Sequence, residues 1–255
     1  MYLSKFQPNF EQGDPTPEER SWVGLGWRLH FGRVIRPESV EPGQTQIEMP
    51  DGSRHALWRT TAVPEGWMTA DFWIYDRTFN KLKLPNGLVY TFGHLAEPNG
   101  LLGAARYVTE IRDPFDNRIE FTYFPAPGPT DGVWRIRQYI GAAYRDVTFW
   151  CDPATNTVSI MHYNGRKWTF ESQPSSIPGH RQLTAIRPPI GPATTYDYSP
   201  GPELSGFWAP AGGRVDYTYA TVSRYASTLT QSSRVVATRA VSGWLVTAGT
   251  WTFQY

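Results

Sequence analysis

The chain has 255 residues, 18% of them charged and 15% aromatic, with a formal net charge of +1. That balance gives no electrostatic case for nucleic acid or an anionic membrane as partner, since both need clustered Lys and Arg, and excludes a strongly basic chain. No stretch approaches the roughly 18 apolar residues of a membrane-spanning helix, and the length suits one large all-β domain or two smaller ones.

Residues 1–21 read as an extended N-terminal segment. Residues 7–21 are polar, with Pro8, Gly13, Pro15 and Pro17, and no basic-then-apolar leader pattern precedes them. A strand follows in which Trp27, Leu29 and Phe31 alternate with Arg28 and His30. Its entry carries Gly24 and Gly26, which allow close backbone approach, and Trp27 is expected to anchor the strand in the core. Residues 45–49 and 54–58 form a hairpin around Asp51-Gly52, a strong local hairpin signal. In the next, Leu82 and Leu84 alternate with Lys81 and Lys83, Asn86-Gly87 makes the turn, and Leu88, Tyr90 and Phe92 resume the apolar face.

The most regular hairpin spans residues 105–124. Tyr107, Thr109 and Ile111 alternate with Arg106, Val108, Glu110 and Arg112; the turn is Asp113-Pro-Phe-Asp-Asn117; and Ile119, Phe121 and Tyr123 share one face of the return arm. Further hairpins follow. One pairs residues 134–137 with 147–151, and one turns at Asn164-Gly165. A third joins 183–186 to 194–198, and three β-like runs lie between 214 and 255. Residues 125–132, 173–182 and 199–213 read as Pro-, Gly- or Ser-rich loops. No amphipathic helix is visible. An aromatic-x-aromatic signature recurs at Trp73/Tyr75, Tyr90/Phe92, Phe121/Tyr123, Trp168/Phe170, Tyr196/Tyr198, Tyr217/Tyr219 and Phe253/Tyr255. Such spacing belongs to repeat architectures, and a lone hairpin is marginal, so neighbours must add edge to edge. The fold class expected is all-β, built of antiparallel hairpin repeats over residues 22–255.

The Gly24-Leu-Gly-Trp27 entry, the Asn86-Gly-Leu-Val-Tyr-Thr-Phe92 hairpin, and above all Tyr107-Val-Thr-Glu-Ile-Arg-Asp-Pro-Phe-Asp-Asn-Arg-Ile-Glu-Phe-Thr-Tyr123 resemble RHS/YD-repeat proteins. The segment Leu183-Thr-Ala-Ile-Arg-Pro-Pro-Ile-Gly-Pro-Ala-Thr-Thr-Tyr-Asp-Tyr198 fits the same pattern, as does Gly213-Arg-Val-Asp-Tyr-Thr-Tyr219. The resemblance implies a shell of hairpins, wound in a spiral and curved, that encloses a toxin or other effector in a longer bacterial polypeptide; related animal proteins act in adhesion. It also implies a secreted or cell-surface setting, with the rest of the shell and a C-terminal effector as partners. The chain departs from the pattern in length, holds nothing like the self-cleaving core region, and lacks the central Gly in several repeats. It is therefore expected to be a fragment with an open sheet edge at Thr250-Trp-Thr-Phe-Gln-Tyr255, one that associates through its edges when isolated.

Few residues suggest chemistry. Cys151, the sole cysteine, excludes an intrachain disulfide and reads as a buried small apolar residue. His30, His55, His94, His162 and His180 show no metal-ligand spacing, and His30 and His55 read as structural or surface residues. Glu110, Asp113 and Asp116 read as a solvated turn that Asp113 opens as an Asx bend. No nucleophile-elbow, P-loop or dinucleotide motif occurs, and no metal or cofactor is expected. Trp58, Trp67, Trp73 and Trp208 are candidates for stacking on sugar rings or other ligands. The leading function is a non-catalytic shell segment. A carbohydrate- or protein-binding β module is the alternative, and a hydrolase with an unrecognised site comes third.

Overall fold

A computed structural model describes residues 2–3, 22–39, 43–64, 66–96, 105–125, 132–152, 157–177, 180–200, 203–226, 229–244 and 247–255. The expected extended segment 1–21 lies outside the described residues except for positions 2 and 3. The described chain is all-β and antiparallel, without a helix, as the alternation requires. It divides into two compact units.

The first unit contains residues 28–150 and 160–165, with the first two residues of the chain. Short strands open the chain: β1 (Tyr2–Leu3), β2 (Trp27–Arg28), β3 (Arg33–Ile35), β4 (Gln46–Glu48), β5 (Arg54–Ala56), β6 (Trp58–Arg59), β7 (Trp67–Met68), β8 (Ile74–Asp76), β9 (Lys81–Lys83), β10 (Val89–Thr91), β11 (His94–Ala96), β12 (Ala105–Tyr107) and β13 (Glu110–Arg112). Longer ones follow: β14 (Arg118–Tyr123), β15 (Val133–Ile140), β16 (Ala143–Cys151) and β17 (Val158–His162). A five-stranded sheet has the order β11-β12-β3-β4-β5. A second sheet runs in sequence from β6 to β10 and then through β13, β14, β15 and β16.

The turns fall where local chemistry puts them. Gly52 donates to the Met49 carbonyl (2.9 Å), Gly87 to Leu84 (3.0 Å), Asp116 to Asp113 (3.2 Å) and Gly165 to His162 (2.9 Å). In the second of these hairpins Leu82 faces Tyr90, with Lys81 and Lys83 exposed on either side of the buried Leu82, as the alternation dictates. Gly87 has φ +86, and a Cβ there would lie 2.5 Å from Pro114 Cγ. The hairpin tip therefore needs glycine both for its left-handed conformation and for space.

Residues 105–112, read above as one arm, are in fact two strands in two sheets. β12 pairs with β3 and β11, whereas β13 pairs with β10 and β14. Between them the Val108 N–H bonds to the Gly32 carbonyl (3.1 Å) and the Thr109 N–H to the Thr91 carbonyl (2.7 Å), so the backbone changes partner without leaving a donor unpaired. Chains commonly turn a corner between packed sheets in this way.

The second unit contains residues 151–159, 166–255 and 3–27. Its strands are β18 (Lys167–Pro174), β19 (Arg181–Arg187), β20 (Thr194–Tyr198), β21 (Leu204–Trp208), β22 (Gly213–Ala226), β23 (Leu229–Gly243) and β24 (Gly249–Thr252), neighbours in that order. β21 lies inside the stretch 199–213 expected to be a loop. Leu204 and Gly206 there are buried and pair across to β20 and β22, so packing overrides the low β-propensity of Gly and Pro. The close approach expected at Gly24 is found: it has φ +125, a Cβ would lie 3.0 Å from the Leu183 nitrogen, and the adjacent Leu25 N–H bonds to the Arg181 carbonyl (2.7 Å). Trp27 is buried, and its Nε1–H donates to Tyr198 Oη (2.8 Å).

One arrangement recurs in both units. Tyr123 Oη donates to the Val108 carbonyl, Tyr198 Oη to Leu183 and Tyr219 Oη to Leu204, each across 15 residues and within 2.6–2.7 Å. In all three a register shift immediately precedes the tyrosine, at Thr122/Tyr123, Asp197/Tyr198 and Thr218/Tyr219. The bulge aims the ring back along the hairpin. Val108, Val133, Val158, Leu183 and Leu204, successively 25, 25, 25 and 21 residues apart, are all at most 3% exposed. The pairs Tyr90/Phe92 and Phe121/Tyr123 are core, whereas in Trp73/Tyr75 only Tyr75 is fully buried. Phe253 and Tyr255 have the same spacing but are exposed.

Candidate functional site

Three polar constellations stand out, one on the five-stranded sheet, one beside the Asp51-Gly52 turn and one in the second unit.

On the five-stranded sheet a single cross-strand row reads His94, Tyr107, Arg33, Glu48 and Arg54, one residue from each strand. Glu48 is fully buried and accepts from Arg33 Nη2 (3.2 Å), Arg54 Nε (2.9 Å) and His30 Nε2 (3.0 Å). His30 Nδ1 accepts the Gly32 N–H (3.1 Å), so the proton sits on Nε2 and the ring is a neutral donor to Glu48. Arg33 also donates to Tyr107 Oη (3.2 Å). Burial works against the charge on Arg33, but Tyr107 and Glu48 outweigh it and hold the guanidinium above its ordinary value. The buried carboxylate is thus paired and hydrogen-bonded, as an interior charge must be. The structural role expected for His30 agrees with this. The signal missed in the sequence was Glu48 itself, which lies next to the buried Ile47 and was not singled out within its hairpin arm.

Beside the Asp51-Gly52 turn, Asp71 Oδ2 accepts from His55 Nδ1 (2.6 Å), and His55 Nε2 lies 3.1 Å from Ser53 Oγ. Residues 53 and 55 share one strand face, so the spacing brings them together. The connectivity matches an acid–base–nucleophile triad, but Ser53 Oγ also donates to Asp51 Oδ1 (2.7 Å). Asp51 accepts the Ser53 N–H as well, and these bonds hold its carboxyl below the ordinary range. A carboxylate that takes the hydroxyl proton competes with His55 for it and opposes negative charge at the attacked carbonyl. The arrangement orients His55 against Trp73, with ring centroids 4.0 Å apart, rather than activating Ser53.

In the second unit a hollow of about 560 Å³ is lined by Gln173, Gln182, Thr184, Thr195, Tyr196 and Asp197, with Tyr198 and the residues beside it. It exists because the β19–β20 ladder stops after two residue pairs, Ala185↔Thr195 and Ile186↔Thr194. Beyond them the strands splay, bridged by the Tyr198–Leu183 hydrogen bond. Tyr196 packs edge-on against Trp27 at 4.6 Å, and burial pushes its hydroxyl up to about 12.

The four tryptophans named from the sequence are dispersed. Trp58 is exposed, and Trp73 is half-buried against His55. Trp67 is buried, with the Arg77 guanidinium 4.9 Å and that of Arg59 5.9 Å from its ring; it is a packed residue without an open stacking face. Trp208 is exposed and lies directly across from Thr195 at the hollow, with Arg214 5.0 Å from its ring. Cys151 is half-buried and not fully buried as expected. The Asp113 bend forms as expected, its Oδ1 accepting the N–H groups of Phe115 and Asn117 at 2.9 Å each. Among the described residues no group of three or more His, Cys, Asp or Glu is placed to hold a metal ion, and no helix is long and apolar enough to cross a membrane.

No protein-family model matches the sequence, and no curated protein matches it. Among solved structures the chain is similar to the N-terminal domain of the effector protein SpvB from Salmonella typhimurium strain LT2. That match has 11% identity, covers 94% of this chain and 92% of the other, and has a TM-score of 0.34. It is also similar to a chain in a TcdB2–TccC3–Cdc42 structure, at 12% identity and a TM-score of 0.24, covering 80% of this chain and 10% of that one.

Proposed function

We propose that the chain is a non-catalytic structural segment of a hairpin-repeat shell of the RHS/YD kind, one that encloses or presents a toxin-like effector or makes contact at a cell surface. The observation that carries this reading is the recurrent tyrosine bond across 15 residues, each instance preceded by a bulge. It makes the hairpins copies of one structural unit, which is how an extensible wall is built. The polar row around Glu48 is neutralised internally, and Ser53 is held by Asp51; both suit scaffolding better than turnover. The partners on this reading are the remainder of the shell and an effector, and the setting is secreted or cell-surface.

The test is made on the natural gene product purified from its source and treated with protease under native conditions. A resistant repeat wall that retains a protected effector-like fragment is expected. Rapid digestion, or a resistant wall with no enclosed or attached polypeptide and no affinity for cells, would overturn the proposal.

A further inference from the structure

The chain holds three Asn-Gly pairs, at 86–87, 99–100 and 164–165, and the second lies outside the described residues. The other two sit at hairpin tips of the same geometry. The Gly87 N–H donates to the Leu84 carbonyl (3.0 Å) and the Gly165 N–H to the His162 carbonyl (2.9 Å), and the two glycines have φ +86 and +80. Both pairs are exposed. In an Asn-Gly pair the glycine nitrogen can attack the carbonyl carbon of the asparagine side chain, because the glycine has no side chain of its own to shield it. Each tip is thus a control for the other, and their settings differ.

His162 stands two residues before Asn164, and its Nδ1 lies 2.9 Å from Asn164 Oδ1. An amide oxygen only accepts, so Nδ1–H donates and draws electrons away from the carbon that must be attacked. The imidazole is held in place against Tyr163, with ring centroids 4.2 Å apart. The corresponding position before Asn86 is Leu84, whose side chain has no donor. Pro85 fixes φ inside the first tip, whereas Tyr163 at the same place leaves the second freer to swing. A Cβ on Gly87 would lie 2.5 Å from Pro114 Cγ, while one on Gly165 would meet nothing within 4 Å, so the second tip has more room for a ring to close.

We propose that Asn164 is a site of spontaneous deamidation assisted by His162, and that Asn86 is protected by its setting. The Gly165 nitrogen bonds to Asn164 Cγ, the Cγ–Nδ2 bond breaks, and Nδ2 leaves as ammonia with the proton of the Gly165 amide. Water then opens the resulting cyclic imide at either carbonyl. One product is aspartate. The other is isoaspartate, in which the main chain runs through the former side chain and the turn gains a methylene. Either product places a new negative charge at the tip. The bond from the Gly165 N–H to the His162 carbonyl slows the attack, but Gly87 carries the same brake, so it cancels between the two tips. The inference goes beyond the shell reading and does not depend on it.

The test incubates the folded chain at neutral pH and follows both tips over time by peptide mapping with mass spectrometry, which separates aspartate from isoaspartate products. Asn164 is expected to convert at least about threefold to tenfold faster than Asn86, the rate equivalent of one hydrogen bond to the reacting carbonyl, and to give both products. His162→Phe keeps a ring against Tyr163 and removes the donor. It is expected to slow Asn164 by a similar factor and to leave the rate at Asn86 unchanged. The comparison of the two tips in the wild type needs no variant, so it decides the matter even where His162→Phe fails to fold. Three results would overturn the proposal: conversion at Asn164 no faster than at Asn86, an unchanged rate at Asn164 in His162→Phe, or aspartate as the sole product, which would mean direct hydrolysis without the ring.

Discussion

Tyr123 Oη donates to the carbonyl oxygen of Val108 at 2.6 Å, and both residues are buried. The bond satisfies a carbonyl at the point where the backbone passes from one sheet to the other. Tyr123→Phe keeps the ring and orphans that carbonyl. It is expected to cost about 1–3 kcal/mol, the range for a buried polar group left unmade. Tyr255→Phe removes a similar bond to Val236 from an exposed ring and is expected to stay within about 0.5 kcal/mol. Denaturant unfolding of the two variants side by side measures the contrast, and equal losses would break the link between burial and cost.

Glu48 is the common acceptor for Arg33, Arg54 and His30. Glu48→Ala leaves the buried Arg33 uncompensated and is expected to destabilise by about 3–5 kcal/mol. Glu48→Gln keeps the shape and two polar atoms and should fall between the variant and wild type. Thermal unfolding decides the order; a Glu48→Ala protein as stable as wild type would mean that the row is solvated.

How much of this was legible in the sequence depends on range. The Asn86-Gly87 hairpin was, because turn chemistry and a period of two are local. The split at residues 107–110 was not: each strand there is three residues long, and the same alternation continues across the break. Glu48 was not, because its partners come from two other segments of the chain, residues 30–33 and Arg54, and nothing next to it announces them. The pairs at 121/123 and 253/255 are indistinguishable as patterns. Only the layer that covers the first pair makes it core. The hollow was hidden for a similar reason, since Gln182 falls at the end of a stretch read as a Pro/Ser loop and its setting depends on where the β19–β20 ladder stops.

Gly87→Ala is expected to lose at least about 1 kcal/mol, because alanine is strained at positive φ and its Cβ would strike Pro114. Pro114→Ala in the same chain removes the collision but not the strain, so it should restore only part of the loss. Full restoration in a chemical-denaturation series would show that φ contributes nothing.

The pH limits follow from opposite shifts. The hydrogen bonds from Arg137 hold the Asp146 carboxyl below its ordinary 3.8. A depressed carboxylate adds stability that is full above 3.8 and is lost as pH falls through its folded value, so Asp146→Asn should flatten the acid limb. Burial pushes the Tyr75 and Tyr219 hydroxyls from 10.0 up to about 12. A raised tyrosine adds stability that is full below 10.0 and is lost between there and about 12, so unfolding should steepen in that window. Ultraviolet titration of tyrosine alongside circular dichroism reads both limbs; phenolate signal at ordinary pH without unfolding would contradict the assignment for the buried rings.

The row of His94, Tyr107, Arg33, Glu48 and Arg54 has a consequence for how the five-stranded sheet finds its alignment. Its five strands are three residues each, too short for an apolar alternation to distinguish one alignment from the next. Sliding β4 by one position would carry the Glu48 carboxylate to the opposite face, away from both flanking guanidiniums. The misaligned sheet would then leave the buried Arg33 without its carboxylate and the exposed Arg54 without its partner, a cost far larger than the loss of one apolar contact. The ionic row acts as a key with a single setting, and it supplies the selectivity that such short strands cannot.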